Sequence, residues 1–211
     1  MLKSFLFNYY NSKINKVYTQ NINNLGYIPN GVFWNSTNSQ FSRFEFLVKL
    51  IKQNSEGILS NIADVGCGYG AFLNFLLLNK VKFKKYRGYD INPKLIQFCK
   101  RNYPNYLFFI NHAPIKKCDF SIMSGTYNFS ITENVSRWEN YILLNLEDCY
   151  KVSERGIIFN LQFSNISMIK NKIYYTNSKE MIKKLKLKFG NVEQFYDTKT
   201  KNDVYFLIKK S

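Results

Sequence analysis

Three glycines alternate with other residues in the run DVGCGYG, from Asp64 to Gly70. The run lies between two apolar stretches, NIADV and AFLNFLLL, and so turns a strand into a helix. Glycine suits a turn that must reverse tightly and let a ligand approach the backbone, since a Cβ obstructs both. Asp64 stands two residues before Gly66. Asp90 lies 24 positions after Gly66 and ends the stretch KYRGYD. An acid at about that distance is placed to accept from both hydroxyls of a ribose. The chemistry on offer is therefore the binding of a nucleoside cofactor.

Two cofactors compete for this turn. Gly66-x-Gly68-x-x-Ala71 satisfies the dinucleotide fingerprint in its loosest form. A pyrophosphate, however, needs bare amides and positive potential, which an acid at the turn opposes. The ammonium of a methionine moiety is matched by that same acid. The residues thus favour S-adenosyl-L-methionine, with a dinucleotide oxidoreductase as the minor alternative.

The elements that must position these groups follow from periodicity. A short helix is expected near Leu2 to Tyr18, then irregular chain through GYIPNGVFWNSTNS. Phe44, Leu47, Val48 and Ile51 fall at helical spacing in SRFEFLVKLI. From Asn61 strands and helices alternate: NIADVG, AFLNFLLLNK, KYRGYD, NPKLIQFCKRNY, YLFFIN, CDFSIMSG, Glu133 to Val152, GIIFNLQF, and a helix from Ser178 to Leu187 capped by Ser178. NVEQFYD and DVYFLIKK, joined by TKTKN, read as a closing hairpin. This alternation predicts an α/β fold, a three-layer, doubly wound, mostly parallel seven-stranded sheet with an antiparallel last strand. The expected division is an N-terminal helical or lid segment, 1–54, and a catalytic domain, 55–211. Ligands of such sheets bind beyond the strand C-termini. Ser124, Gly125, Thr126, Tyr127 and Asn128 follow the fourth strand, and Asn160, Gln162 and Ser164 the fifth; substrate should meet these.

Composition narrows the classes further. In 211 residues, 45% hydrophobic and 18% aromatic content excludes global disorder, and 4 Pro with 10 Gly excludes collagen-like chains. No apolar run reaches the roughly 20 residues of a membrane helix, so no membrane insertion is expected. The start, MLKSFLFNYYNSK, has too short an apolar stretch for a signal peptide. Cys67, Cys99, Cys118 and Cys149 are not at metal-ligand spacing, and His112 is the single histidine, so no metal site is expected. Reduced thiols and a cytoplasmic location follow. The net charge of +16 makes RNA an alternative partner. The lysines are scattered, however, and Lys, Asn, Ile, Phe and Tyr all have A/T-rich codons, so a low-GC genome is the simpler account of the excess.

With the glycine turn and YRGYDINP in view, the sequence resembles the class I (Rossmann-like) S-adenosylmethionine-dependent methyltransferases from Asn61 to the terminal hairpin. FWNSTNSQFSRFEFL, SGTYN and FNLQF further resemble a small bacterial subgroup with W-x-S…Q-x-x-RF, SG-x-F/Y-N and FNF-type segments. The resemblance implies that Asp64, Gly66, Cys67, Gly68 and Gly70 surround the methionine and ribose portions. Asp90 and Ile91 would hold the ribose, Asn111 and His112 would lie against adenine, and Ser124 would complete the cofactor contacts. The Asn/Asp-Pro-Pro-aromatic motif of many amino-methyltransferases is replaced by SGTYN. A Pro-Cys nucleophile for pyrimidine carbon is missing as well.

The expectation is a metal-independent methyl transfer to a small molecule or glycan precursor, at oxygen. RNA methylation is the alternative, and a degenerate cofactor-binding sensor is a third reading. His112, Tyr127 and Asn128 are the catalytic candidates, His112 because an imidazole titrates near neutrality. Arg43, whose planar fork suits a carboxylate, is expected on the cofactor. Trp34, Gln40, Asn128 and Asn160 are expected on the substrate.

Overall fold

The computed structural model describes residues 2–55 and 59–210, and of residues 2–6 the backbone alone. The expected boundary after residue 54 adjoins residues 56–58, which lie outside the described residues.

Helix α1 (Leu2–Leu25) is followed by a 3-10 turn (Pro29–Val32) and α2 (Thr37–Gln53). Then come β1 (Leu59–Val65), α3 (Ala71–Leu78), β2 (Phe83–Asp90), α4 (Pro93–Asn102), β3 (Leu107–Ile110), β4 (Cys118–Met123), α5 (Val135–Val152) and β5 (Ser153–Phe163). The chain closes with β6 (Met168–Lys170), β7 (Ile173–Thr176), α6 (Ser178–Phe189), β8 (Val192–Tyr196) and β9 (Asp203–Lys209).

The strands form one sheet. β3-β2-β1-β4-β5 run parallel, and β9 joins β5 antiparallel with β8 outside it. These seven are the expected strands. Two more, β6 and β7, raise the sheet to nine. β7 pairs parallel with the far end of β5, Gln162 opposite Tyr175, while β9 takes the other side of Gln162. β4 also pairs opposite β9 across β5. The β6–β7 hairpin therefore continues on β4's side of β5, beyond the end of β4. Its strands are three and four residues long, too short for an alternation that sequence reading can detect.

The central strands are buried on both faces, and successive residues of β9 face opposite cores. Val204, Phe206 and Ile208 of β9 face one core, with α1, α5 and α6; Tyr205 and Leu207 face the other, with α2, α3 and α4. This period of two, with helices on both faces, makes three layers.

Element ends are set by local chemistry. Gly26, at φ 84, ends α1 by donating its N–H to Ile22 O. The helix thus runs well past the expected Tyr18. Asn92, Asn134 and Asn177 cap α4, α5 and α6. The α6 cap is therefore Asn177, one residue before the expected Ser178; its Oδ1 accepts from Lys179 N and Glu180 N. Either residue type serves, and the side chain that reaches both free amides takes the role. None of the described helices is long and apolar enough to cross a membrane.

Candidate active site

A cavity of about 940 Å³, its open mouth included, lies beyond the C-terminal ends of β1, β2 and β4, under α1. The glycine turn forms its floor. Gly66, Gly68 and Gly70 have φ of 75, 57 and 85, where L side chains are strained. A Cβ on Gly66 would stand 2.5 Å from Thr126, and one on Gly70 2.7 Å from the Tyr103 ring. A Cβ on Gly68 would meet nothing within 4 Å. Two of these glycines are therefore demanded by packing, and the third leaves the turn open.

Two acids line this cavity. Asp90 Oδ2 accepts from Gly68 N at 2.9 Å and its Oδ1 from Asn92 N at 2.8 Å, tying the end of β2 to the turn. Asp64 Oδ2 accepts from Tyr86 Oη at 2.6 Å. Burial pushes Asp64 up to about 7 against the opposing Tyr86 hydrogen bond, and the Asp90 charge adds to the rise. Burial also lifts Asp90 to about 6, though three backbone amides hold it back. Both groups are thus poised to accept donors brought by a ligand.

This geometry tests the two cofactors. The Gly68 amide that a pyrophosphate would use is spent on Asp90, and the nearest fixed charges are negative. An ammonium and a pair of ribose hydroxyls fit these carboxylates. Further donors and acceptors await a partner: Ser124 Oγ and Asn15 Oδ1 are buried without a hydrogen bond, and both residues line the cavity.

The structure brings most of the expected cofactor residues together. Asp64, Gly66, Cys67, Gly68, Asp90, Ile91, Asn111, His112 and Ser124 all line the first cavity; Gly70 sits behind the turn as the α3 N-cap. Arg43 is elsewhere. Its Nη1 donates to Ser39 O and Oγ, its Nη2 stands 2.7 Å from Asp203 Oδ2, and it lines a second cavity. A buried carboxylate on β9 captures the guanidinium before any ligand can.

The substrate candidates divide. Trp34 lines both cavities and packs where a Cβ on Gly125 would stand 2.5 Å away. Asn128 lines the second cavity. Gln40 faces the first, its Oε1 accepting from Tyr69 Oη. Asn160 lines neither; fully buried, it accepts from Gly125 N and donates to Asp203 Oδ1, holding the loop after β4.

The catalytic candidates divide likewise. Tyr127 lines the first cavity, but it is buried among core residues with its hydroxyl unpaired, and burial pushes the phenol well above 10. A phenolate base is therefore not available from it. His112 stacks on Phe7 at 4.5 Å, with Nε2 3.2 Å from Asp148 Oδ2, and lines the first cavity only.

Ile14, Asn15 and Tyr18 of α1, with Thr126 and Asn145, also line the first cavity. Of these, Thr126 was expected on the substrate's side after the fourth strand, and sequence reading missed the other four. The α1 positions repeat at helical spacing, Ile14 and Tyr18 at i and i+4, and this was the available signal.

No family model matches the chain. Over 122 residues, 56% of the chain and 73% of the relative, it is 30% identical to Rv1506c of Mycobacterium tuberculosis, whose name gives methyltransferase as a provisional assignment. In fold it is similar to a S-adenosylmethionine-dependent methyltransferase of Leishmania major, with TM-score 0.65, 11% identity, and 93% of this chain and 83% of that one covered. It is similar too to magnesium protoporphyrin IX methyltransferase of Synechocystis PCC 6803, solved with S-adenosylmethionine bound. There the TM-score is 0.58, the identity 12%, and the coverage 82% and 80%. For CalS10, an amino pentose methyltransferase of Micromonospora echinaspora, the values are 0.55, 10%, 80% and 91%. The mostly parallel sheet, flanked by helices and carrying an antiparallel last strand, matches the Rossmann-like methyltransferase fold. The chain belongs to the methyltransferase family that includes Rv1506c.

Proposed function

We propose that the chain is a cytoplasmic, metal-independent S-adenosylmethionine-dependent methyltransferase that acts on a hydroxyl of a small molecule or glycan precursor. One observation carries the cofactor assignment: two buried carboxylates, Asp64 and Asp90, meet in a cavity whose glycine turn is tied to Asp90 by its own amide. When bound, S-adenosylmethionine supplies a methyl group already activated on a sulfonium, so that alignment provides most of the rate. The residues' work is then to bind and orient. Asp90 would accept the ribose hydroxyls and Asp64 the ammonium. Asn111 and His112 would flank the adenine, and Ser124 would close the cofactor's side of the cavity. Asn128 and Trp34 would face the acceptor. Residues 1–54 would act as a lid on the domain 55–211, since α1 and the turn after it supply Ile14, Asn15, Tyr18, Val32 and Trp34 to the cavity wall.

Oxygen is preferred as the methylated atom because SGTYN stands where amino-methyltransferases carry their Pro-Pro motif. The RNA alternative rests on net charge, and two lysines of α6 are engaged within the protein: Lys184 with Glu139 at 2.6 Å and Lys188 with Glu147 at 2.9 Å. The test is transfer of radiolabelled methyl from S-adenosylmethionine into an extract of the host cell, fractionated with and without RNase. Label in metabolites or nucleotide-linked sugars supports the reading; label released by RNase replaces it.

A further inference from the structure

The second cavity adjoins the first across Tyr18, Val32, Trp34 and Gly125, which line both. Its volume is about 1480 Å³ with its open mouth, larger than the first. The wall offers two kinds of surface. Ser42, Asn128, Gln162 and Asn202 bring uncharged donors and acceptors, and Trp34 and Tyr175 bring aromatic rings.

The charges that reach this wall are largely neutralised. Arg43 faces Asp203 at 2.7 Å, and Lys199 faces Glu45 at 2.7 Å. An anion entering here must compete for cations that already have partners. A neutral polyol need not: side-chain amides and hydroxyls pair donor for acceptor with adjacent ring hydroxyls, and an aromatic ring covers the apolar C–H face of a sugar. The amide of Asn128 is set in place for this. Its Oδ1 accepts from Gln162 N at 3.2 Å and its carbonyl from Tyr174 N at 2.7 Å, which directs the Nδ2 donor as a fixed group on the wall. The β6–β7 hairpin, which holds Tyr175 and Tyr174, completes that side.

We propose that the second cavity is the acceptor site and that it takes a sugar ring, seated against Trp34 and Tyr175 and read by the side chains of Asn128 and Gln162. The inference rests on the methyltransferase reading of the first cavity. The ring has two sources, a simple glycoside or the sugar of a nucleotide-linked precursor, whose phosphates would extend past exposed Lys201 at the mouth.

Saturation-transfer NMR on the full chain, with S-adenosylhomocysteine present, tests this. The probes are the methyl glycosides of glucose, galactose, mannose and rhamnose, together with UDP-glucose and a short RNA oligonucleotide. Saturation of sugar-ring protons is expected for at least one probe, reduced five-fold or more in Asn128→Ala and in Gln162→Ala. Saturation by glycosides points to the first source; saturation of the glucose ring by UDP-glucose alone points to the second. Calorimetry of S-adenosylhomocysteine binding separates the two readings and shows that each variant is folded, because neither residue lines the first cavity. Absence of S-adenosylhomocysteine binding would overturn the cofactor reading. Intact binding with no sugar saturation would overturn this proposal, as would saturation confined to the uridine or to RNA, or sugar saturation unchanged in both variants.

Discussion

Arg43 on α2 and Asp203 at the start of β9 stand 2.7 Å apart, and through them the N-terminal segment is joined to the loop after β4. Asp203 accepts from Asn160 Nδ2 at 2.7 Å, and Asn160 Oδ1 accepts from Gly125 N at 2.8 Å. Arg43 also lies over the Trp34 ring, 4.8 Å from its centroid. Burial raises the Asp203 carboxyl, and the Arg43 charge opposes that rise. Removing either partner strands a buried charge, which costs about 3–5 kcal/mol. Arg43→Ala and Asp203→Ala should each lower the denaturant midpoint accordingly. The double variant should lose markedly less than their sum. Additive losses would show that the pair is not coupled.

Gly68 and Gly125 separate strain from space. Both have positive φ, 57 and 67. At Gly68 an added methyl meets nothing within 4 Å, whereas at Gly125 it meets Trp34 at 2.5 Å. Gly68→Ala should cost about 1–2 kcal/mol of stability, the ordinary left-handed penalty. It should also weaken S-adenosylmethionine binding ten-fold or more, because Gly68 lines the proposed cofactor cavity. Gly125→Ala should cost more stability than Gly68→Ala, since Trp34 must also move. Melting curves beside calorimetric titrations check both, and a reversed order of stability loss would mean that Trp34 yields freely.

The alternation of strands and helices was legible because the central strands are buried on both faces and the helices are amphipathic. DVGCGYG and Asp90 were legible because a tight turn, and an acid at the end of the next strand tied to its amide, constrain residue type. The β6–β7 hairpin was not, since its short strands take their order from the end of β5. Arg43 was misplaced for a related reason: its partner Asp203 is 160 positions away in the chain. No local pattern marks a pairing that only the antiparallel last strand creates. Asn160 reads as a substrate contact for the same reason, although its amide is consumed within the protein.

The two cavity acids make cofactor affinity depend on pH. Asp64 and Asp90 hold their protons up to about 7 and about 6 in the folded chain, against 3.8 ordinarily. A carboxyl raised on folding binds more protons folded than unfolded, so its contribution to stability is present at low pH and falls as pH rises from about 4 through 6–7. The ligand reverses the preference, because its ammonium and hydroxyls favour the ionised carboxylates. Affinity for S-adenosylmethionine should therefore climb between pH 5 and 7.5 and then level. Asp64→Asn should remove most of the slope near 7, and Asp90→Ala should abolish measurable binding. Calorimetry across this range, with thermal melts of the free protein, gives both trends; a flat wild-type affinity or an unaffected Asp90→Ala variant would sink the assignment.

Tyr127 and His112 offer the sharpest test of where chemistry is not done. The Tyr127 hydroxyl is buried with no hydrogen-bond partner, and burial pushes it far from ionising. Its ring packs edge-on against Phe159, and its carbonyl accepts from Trp138 Nε1 at 3.0 Å. The ring and backbone are structural, while the hydroxyl has no partner to lose. An unpaired buried hydroxyl carries its desolvation cost uncompensated. Tyr127→Phe should accordingly keep or raise thermal stability and leave kcat within two-fold, once an acceptor is in hand. His112→Ala differs, since it removes a whole ring that stacks on Phe7 beside the first cavity and reaches Asp148 through Nε2. It should raise the KM for S-adenosylmethionine several-fold with little change in kcat. The opposite split, a fall in kcat at constant KM that deepens at low pH, would restore His112 as a general base.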